Sequence, residues 1–295
     1  MASPIVSVIV PTRNRHHLLP RALGSLFAQT LPDFEIVVVD DNEPGNRVGA
    51  QPTLAAILKD PRVRVVEHDC PRNAASARNC GLRSSRGQWI TYLDDDDAYH
   101  PAKLEKQLRA AERSGLPLGL CGMAVNLPGR RRLRQVGCDS FVGAELLLSA
   151  ISGTVFIFHQ KTQPVFFNED LGAAEDAYFF FTLVRHFGID RVFNVAEPLV
   201  EIYPQAGARV NLNGLALWQA SLAIYREFAP AFGEKAASAY LTRAELQYCK
   251  FRPGGLRSMP GLAVRLLRVR GWREWRLILN AFLFKLPLTR RFVVS

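Results

Sequence analysis

The sequence predicts an α/β protein: a mixed, mainly parallel sheet flanked by helices, followed by a helical basic C-terminal extension. Three observations predict it. Short β-branched or aromatic runs alternate with helical patterns through the first hundred residues. Polar clusters close each of those runs, and the last forty residues interleave Leu, Trp, Phe and Arg.

Ile5 to Pro11 (IVSVIVP), Glu35 to Asp40 (EIVVVD), Val63 to Glu67 (VRVVE) and Trp89 to Leu93 (WITYL) read as four buried strands. A parallel strand covered on both faces shows a continuous apolar run, not an alternating one. Between the first two, Leu18, Leu19, Ala22, Leu23, Leu26 and Phe27 recur at helical spacing, with Pro20 tolerable only in the first turn. Asn73 to Ser85 is Ala-rich and reads as a helix, and Pro101 opens another that runs to about Ser114. Farther on, strand-like pieces at 118–126, 154–158 and 192–195 and a helix at 174–187 are expected to complete the sheet. After Asn211 the pattern is helical, so we expect one domain over residues 1–210 and a helical region over 211–295.

The chain has 295 residues, 48% of them hydrophobic and 22% charged, which suits a folded protein with a sizeable core. Net charge is +10, but residues 251–295 hold ten Lys or Arg against one acid, Glu274, and the remainder is close to neutral. Such a local excess points to an anionic partner at one end of the molecule. No apolar run reaches the ~18 residues of a spanning helix, so a membrane contact would be peripheral, through 256–295, with Trp272 and Trp275 as interfacial anchors. Packing of the same helix on the preceding domain explains its apolar residues equally well. Cys70, Cys80, Cys121, Cys138 and Cys249 form no CxxC pair and the opening residues carry no secretory signal, so a cytoplasmic location at the inner membrane face is expected.

Ligands of open α/β sheets bind beyond the carboxyl ends of the strands, where loops converge and helix N-termini offer unpaired N–H groups. Here those ends carry Pro11-Thr12-Arg13-Asn14-Arg15, then Asp40-Asp41-Asn42, then Arg72-Asn73, then Asp94-Asp95-Asp96-Asp97. Four adjacent carboxylates repel one another, and a cation relieves the repulsion; hard oxygen donors of this kind suit Mg²⁺ or Mn²⁺. An acidic loop capping the next helix is the plainer reading of the Asp run. Solvated charge is the plainer reading of Arg13, Arg15 and Arg72, and a turn cap that of Asp41.

PTRNR after the first strand, VVVDDN after the second, NAASARNCG, YLDDDDAYHP and the later FNEDLGAAEDAYFFFTL resemble the family 2 glycosyltransferases of the GT-A, Rossmann-like fold. The resemblance implies a nucleotide-binding half at 1–115, an acceptor half at 116–210, and an inverting transfer from a nucleotide-diphosphate sugar, a UDP-sugar foremost, to a saccharide or lipid-linked acceptor. It carries nucleotide contacts to Pro11, Thr12, Arg13, Asn14, Asp40, Asp41, Arg78, Asn79, Asp94 and Asp95, and metal ligation to Asp96. It makes Asp176, paired with Glu175, the base that takes the acceptor's proton. The plainer meaning of that pair is a helix N-terminal acid, with Glu169-Asp170 a nearby competitor. One departure stands out: Glu197 to Tyr203 resembles the run into a family Arg or His segment, but Pro204-Gln205-Ala206 follows, which leaves a third protein ligand for the metal open.

Two other classes fit less well. A sugar nucleotidyltransferase is expected to carry a Gly-rich loop after the first strand, and PTRNR has no glycine. A basic membrane- or nucleic-acid-binding module would spread its cations along one face with aromatics between them, whereas the half bearing the acid clusters is nearly neutral. No nucleic-acid partner is expected.

Overall fold

The computed structural model describes residues 3–68, 72–134, 157–161, 165–188, 190–204, 214–228, 231, 234–249 and 255–270. The chain divides into two units: Asp170–Phe181 and the described residues from 214 onward belong to one, and the other described residues to the first.

The first unit is a sheet of nine strands among the described residues, in the order β3-β2-β1-β4-β8-β6-β9-β5 with β7 paired to β6. Its strands are β1 (Val6–Thr12), β2 (Phe34–Asp40), β3 (Val63–Glu67), β4 (Trp89–Tyr92), β5 (Ala98–Tyr99), β6 (Leu118–Leu127), β7 (Arg130–Arg134), β8 (Phe158–Gln160) and β9 (Val192–Ile202). The first four lie within one residue of the predicted runs and pair in parallel. Their registers align the C-terminal ends, with Thr12 opposite Asp40 and Asp40 opposite Glu67. β8 joins antiparallel to β4 and β6, while β9 runs parallel to β6.

Helices cover this sheet for the reasons visible in their spacing. α1 (Leu19–Phe27) buries Leu19, Ala22, Leu23 and Leu26 along one stripe, with Pro20 in its first turn. α2 (Ala74–Ser84) is capped by Asn73, whose side chain accepts from Ser76 N at 2.9 Å. A methyl added to Gly81 of that helix would stand 2.4 Å from Ile9 Cγ2 and 2.9 Å from Val39 Cγ2, so only glycine lets α2 sit this close to β1 and β2. α3 (Lys103–Ser114) ends at Gly115 in the left-handed region, φ 65°. Its first residue, Lys103, is wholly buried, bonded to Gln107 Oε1 (2.7 Å) and Thr91 Oγ1 (3.1 Å) above the Tyr99 ring. Burial pulls its ammonium down to about 8.

α4 (Glu175–Phe187) runs from the second unit into the first. The second unit adds α5 (Gly214–Phe228), α6 (Glu234–Tyr248) and α7 (Met259–Arg270), the helices expected after Asn211. Phe228 meets Tyr178 edge-on at 5.1 Å, and Trp218 stacks on Tyr248 at 5.6 Å. On α7, Met259, Leu262 and Ala263 are buried, while Val264, Arg265 and Arg268 face outward. Trp272, Trp275 and the rest of the tail lie outside the described residues. Among the described residues no helix is long and apolar enough to cross a membrane.

Candidate functional site

The acid run occupies a turn between β4 and β5, two strands that three others separate in the sheet. The turn Asp94 to Asp97 therefore carries the chain away from β4 towards the far edge of the sheet, while its start stays tied to β1, the neighbour of β4 on the other side. Leu93 N still bonds Ile9 O at 2.9 Å, and two residues later Asp95 Oδ2 accepts from Thr12 Oγ1 at 2.8 Å. The first and fourth strand ends are thus tied side chain to side chain.

Cations meet this turn from three elements. Arg15, in the loop after β1, places Nη1 3.2 Å from Asp95 Oδ1 and 3.1 Å from Asp96 Oδ2. Arg78, buried on α2, donates to Asp94 Oδ1 at 2.8 Å. Arg21 of α1 donates to the backbone carbonyl of Asp96 and lies 4.1 Å over the Tyr203 ring. Tyr203 N in turn donates to Asp97 Oδ1 at 3.0 Å.

Burial without full compensation shows in the carboxyls. Desolvation, opposed by Thr12 and Arg15, pushes Asp95 up to about 6. Desolvation and the neighbouring Asp94 raise Asp96 and push Asp97 up to about 8. Asp97 in the metal-free folded chain therefore holds its proton well past the ordinary 3.8, at which the unfolded chain releases it. Between those values the folded state binds more protons, so its stability falls as pH rises through the window and levels off above it. Urea midpoints of metal-free protein are expected to fall between about pH 5 and about pH 8, and Asp97→Asn is expected to flatten that slope. An unchanged slope in the variant would remove Asp97 as its source.

The neighbouring strand end is built differently. Asp40 has no exposed surface: Oδ1 accepts from Asn42 Nδ2 (2.7 Å) and N (3.2 Å), and Oδ2 from Val48 N (2.7 Å). Arg47 donates to its carbonyl at 2.8 Å. Asp41 accepts from His68 Nδ1 at 2.6 Å, with Arg13 Nη1 3.8 Å from its other oxygen, and His68 Nε2 lies 3.2 Å from Ser76 Oγ. Asn14, at φ 57°, donates its N–H to Asn42 Oδ1 at 2.5 Å, locking the β1 loop to the β2 loop. Asn79 reaches across to residues 165–169: it accepts from Phe167 N (2.8 Å) and donates to Phe167 O (3.0 Å) and Glu169 Oε1 (2.8 Å).

Thr12, Arg13, Asn14, Asp40, Asp41, Arg78, Asn79, Asp94, Asp95 and Asp96 thus gather at one end of the sheet, with Pro11 the penultimate residue of β1. Glu175 and Asp176 form the first turn of α4, where Ala177 N donates to Asp176 Oδ1 at 2.7 Å. Arg15, named at the first strand end but with solvated charge as its plainer reading, and Arg21 and His68, given no role from the sequence, are the further participants; their partners stand 80, 75 and 27 residues away, a separation that no local pattern records.

Among the described residues no group of three or more His, Cys, Asp or Glu could hold a metal. The donor set is all hard oxygen, and a guanidinium already stands as a cation between Asp95 and Asp96. That fits Mg²⁺ or Mn²⁺, which take one or two carboxylates and draw their other ligands from water and phosphate. Asp96, the more exposed of the two, is the residue that would hold it.

A mixed sheet of this order, with an acidic turn at the end of the last of its parallel strands β1 to β4, defines a protein of the GT-A fold. The fold is that of TarS 1–349 from S. aureus (TM-score 0.64, 17% identity, 97% of this chain and 91% of that one). It is also that of the mannosyltransferase PcManGT from Pyrobaculum calidifontis, solved with GDP-Man and Mn²⁺ (TM-score 0.64, 16% identity, 99% and 88%). Residues 7–156, half of the chain, match the model for glycosyl transferase family 2, and the chain belongs to that family. It is similar to the succinoglycan biosynthesis protein ExoO of Rhizobium meliloti, 31% identical over 59% of this chain and 53% of that protein. It is also similar to an Escherichia coli protein, UDP-Glc:alpha-D-GlcNAc-diphosphoundecaprenol beta-1,3-glucosyltransferase WfgD, 32% identical over 35% and 40%. The matches thus span about half or less of these relatives' length.

Proposed function

We propose that this chain is an inverting glycosyltransferase that moves a sugar from a nucleotide-diphosphate sugar to a saccharide or lipid-linked acceptor in the making of cell-surface polysaccharide or glycolipid. The observation that carries the reading is the turn Asp94 to Asp97, in which four carboxylates and the guanidiniums of Arg15 and Arg78 converge at one strand end of a family 2 chain. A UDP-sugar is the favoured donor, supported by the TarS structure solved with UDP-GlcNAc and by the UDP-Glc in the name of WfgD. The acceptor class is supported by the names of ExoO and WfgD.

In this reading Pro11, Thr12, Arg13, Asn14, Asp40 and Asp41 shape the nucleotide side, with Arg78, Asn79, Asp94 and Asp95 nearer the diphosphate. Asp40 and Asn79 serve it by holding neighbouring segments in place, as their hydrogen bonds indicate. A divalent cation at Asp96, Mg²⁺ or Mn²⁺, would supply charge neutralisation for the departing diphosphate. Asp176 takes the proton of the acceptor hydroxyl as that oxygen bonds to the anomeric carbon and the carbon–oxygen bond to the diphosphate breaks. Attack from the face opposite the leaving group inverts the centre, with no covalent intermediate. Peripheral contact with anionic lipid at the cytoplasmic face, through 256–295, belongs to the same reading and is supported by the outward-facing Val264, Arg265 and Arg268.

A thermal-shift screen of UDP-, GDP-, CMP- and dTDP-sugars with and without Mn²⁺ tests it, because a ligand that binds only the folded state raises its melting temperature. One donor class is expected to raise Tm, and more so with Mn²⁺. No shift with any donor under either condition would sink the proposal.

A further inference from the structure

We infer that Arg15 is a built-in occupant of the cation site: its guanidinium holds the Asp95 and Asp96 oxygens in the nucleotide-free chain and must leave them before a divalent cation settles there. The inference rests on the reading of Asp96 as the metal ligand. Its consequence is an order of events in which cation and nucleotide enter together.

The geometry is specific. Nη1 of Arg15 spans Asp95 Oδ1 and Asp96 Oδ2 at 3.2 and 3.1 Å, a bridge between two adjacent carboxylates. The other guanidiniums of the turn have different employment: Arg78 bonds Asp94, and Arg21 bonds the backbone carbonyl of Asp96. Asp95 is also fixed through Oδ2 by Thr12, and the turn by the Asp97 contact with Tyr203 N, so the turn keeps its shape when Arg15 departs. The Arg15 side chain is 35% exposed and springs from the loop beyond β1, not from a packed helix, so it is able to swing.

A guanidinium and a hard dication compete for the same oxygen lone pairs, and they repel each other at contact range. A diphosphate reverses that balance. It brings negative charge to the turn and offers the displaced Arg15 a set of oxygens that its forked N–H donors match. The cation's affinity therefore rises when nucleotide is present, nucleotide affinity rises by the same factor when cation is present, and the coupling passes through Arg15.

Titration of the 295-residue chain with Mn²⁺ alone, followed by the electron paramagnetic resonance of the free ion, reads this directly. Arg15→Gln is expected to tighten Mn²⁺ binding by about tenfold without nucleotide, and Arg15→Met, neutral and of similar length, to do the same. Arg15→Lys keeps the charge and is expected to keep the weak wild-type affinity. Adding UDP or GDP should strengthen Mn²⁺ binding to wild type by more than it strengthens binding to either neutral variant. A guanidinium that merely braced the turn would give the opposite sign, so weaker or unchanged Mn²⁺ binding in the neutral variants overturns the inference. Asp96→Asn in the Arg15→Gln background should abolish the binding. Mn²⁺ retained by that double variant would instead overturn the assignment of Asp96 as ligand, which separates the two failures.

Discussion

Asp176→Asn is expected to lower kcat by roughly a hundredfold to ten-thousandfold while leaving the Kd of the donor unchanged. Asparagine keeps the size and the hydrogen-bonding reach of the side chain and removes its capacity to take a proton. The competing account, an acid that only complements the start of α4, predicts a different quantity. Loss of such a charge costs about 0.3–1 kcal/mol of stability and nothing in turnover. Single-turnover rates beside a urea titration distinguish the two, and full turnover in the variant would rule Asp176 out as the base. The neighbouring acid Glu169 has a structural task, since its Oε1 accepts from Asn79 and its Oε2 lies 3.6 Å from Arg72. That gives one acid of the competing pair, Glu169, a place in the scaffold.

The second large effect is expected at Asp96. Asp96→Ala should remove the Mn²⁺-dependent part of nucleotide affinity, on the order of a hundredfold or ~3 kcal/mol. Calorimetric titration with the donor class identified by the screen, in Mn²⁺ and in a chelator, makes the comparison within one protein. Wild type should lose affinity in chelator, and the variant should bind equally weakly in both. The substitution also removes a carboxyl that desolvation and Asp94 disfavour, so the metal-free variant should be no less stable than wild type. Weak binding joined to a collapsed Tm would assign Asp96 to the scaffold.

Much of the first half was legible because its strands are buried on both faces, and β-branched runs such as EIVVVD have no other use. The strand β7 is not legible in the sequence for the converse reason. Arg130, Arg131, Arg132 and Leu133 are all exposed, so no apolar period marks them, and Arg131 pairs with Glu201 far along the chain. The two-residue β5 is set by its antiparallel pairing with β9 and is too short to leave a pattern. At the site, the strand-end rule located the loops but not the traffic between them. That Thr12 meets Asp95, or that Asn79 clamps Phe167, is decided by sheet order and not by spacing. Residues 154–156 of the expected strand and the tail beyond 270 lie outside the described residues.

The interior placement of Asp40 bears on any attempt to redesign donor choice. With three N–H bonds and no accessible surface, this carboxylate is a keystone for the segment between Asn42 and Val48. Its removal orphans buried donors and lets that segment drift. An alanine scan at Asp40 therefore needs a stability measurement beside the affinity, because loss of this brace lowers affinity by itself. On the proposed nucleotide-binding role of this strand end, libraries aimed at a new nucleobase belong on the half-exposed Arg13 and its surroundings, where side chains can change without bringing down the wall behind them.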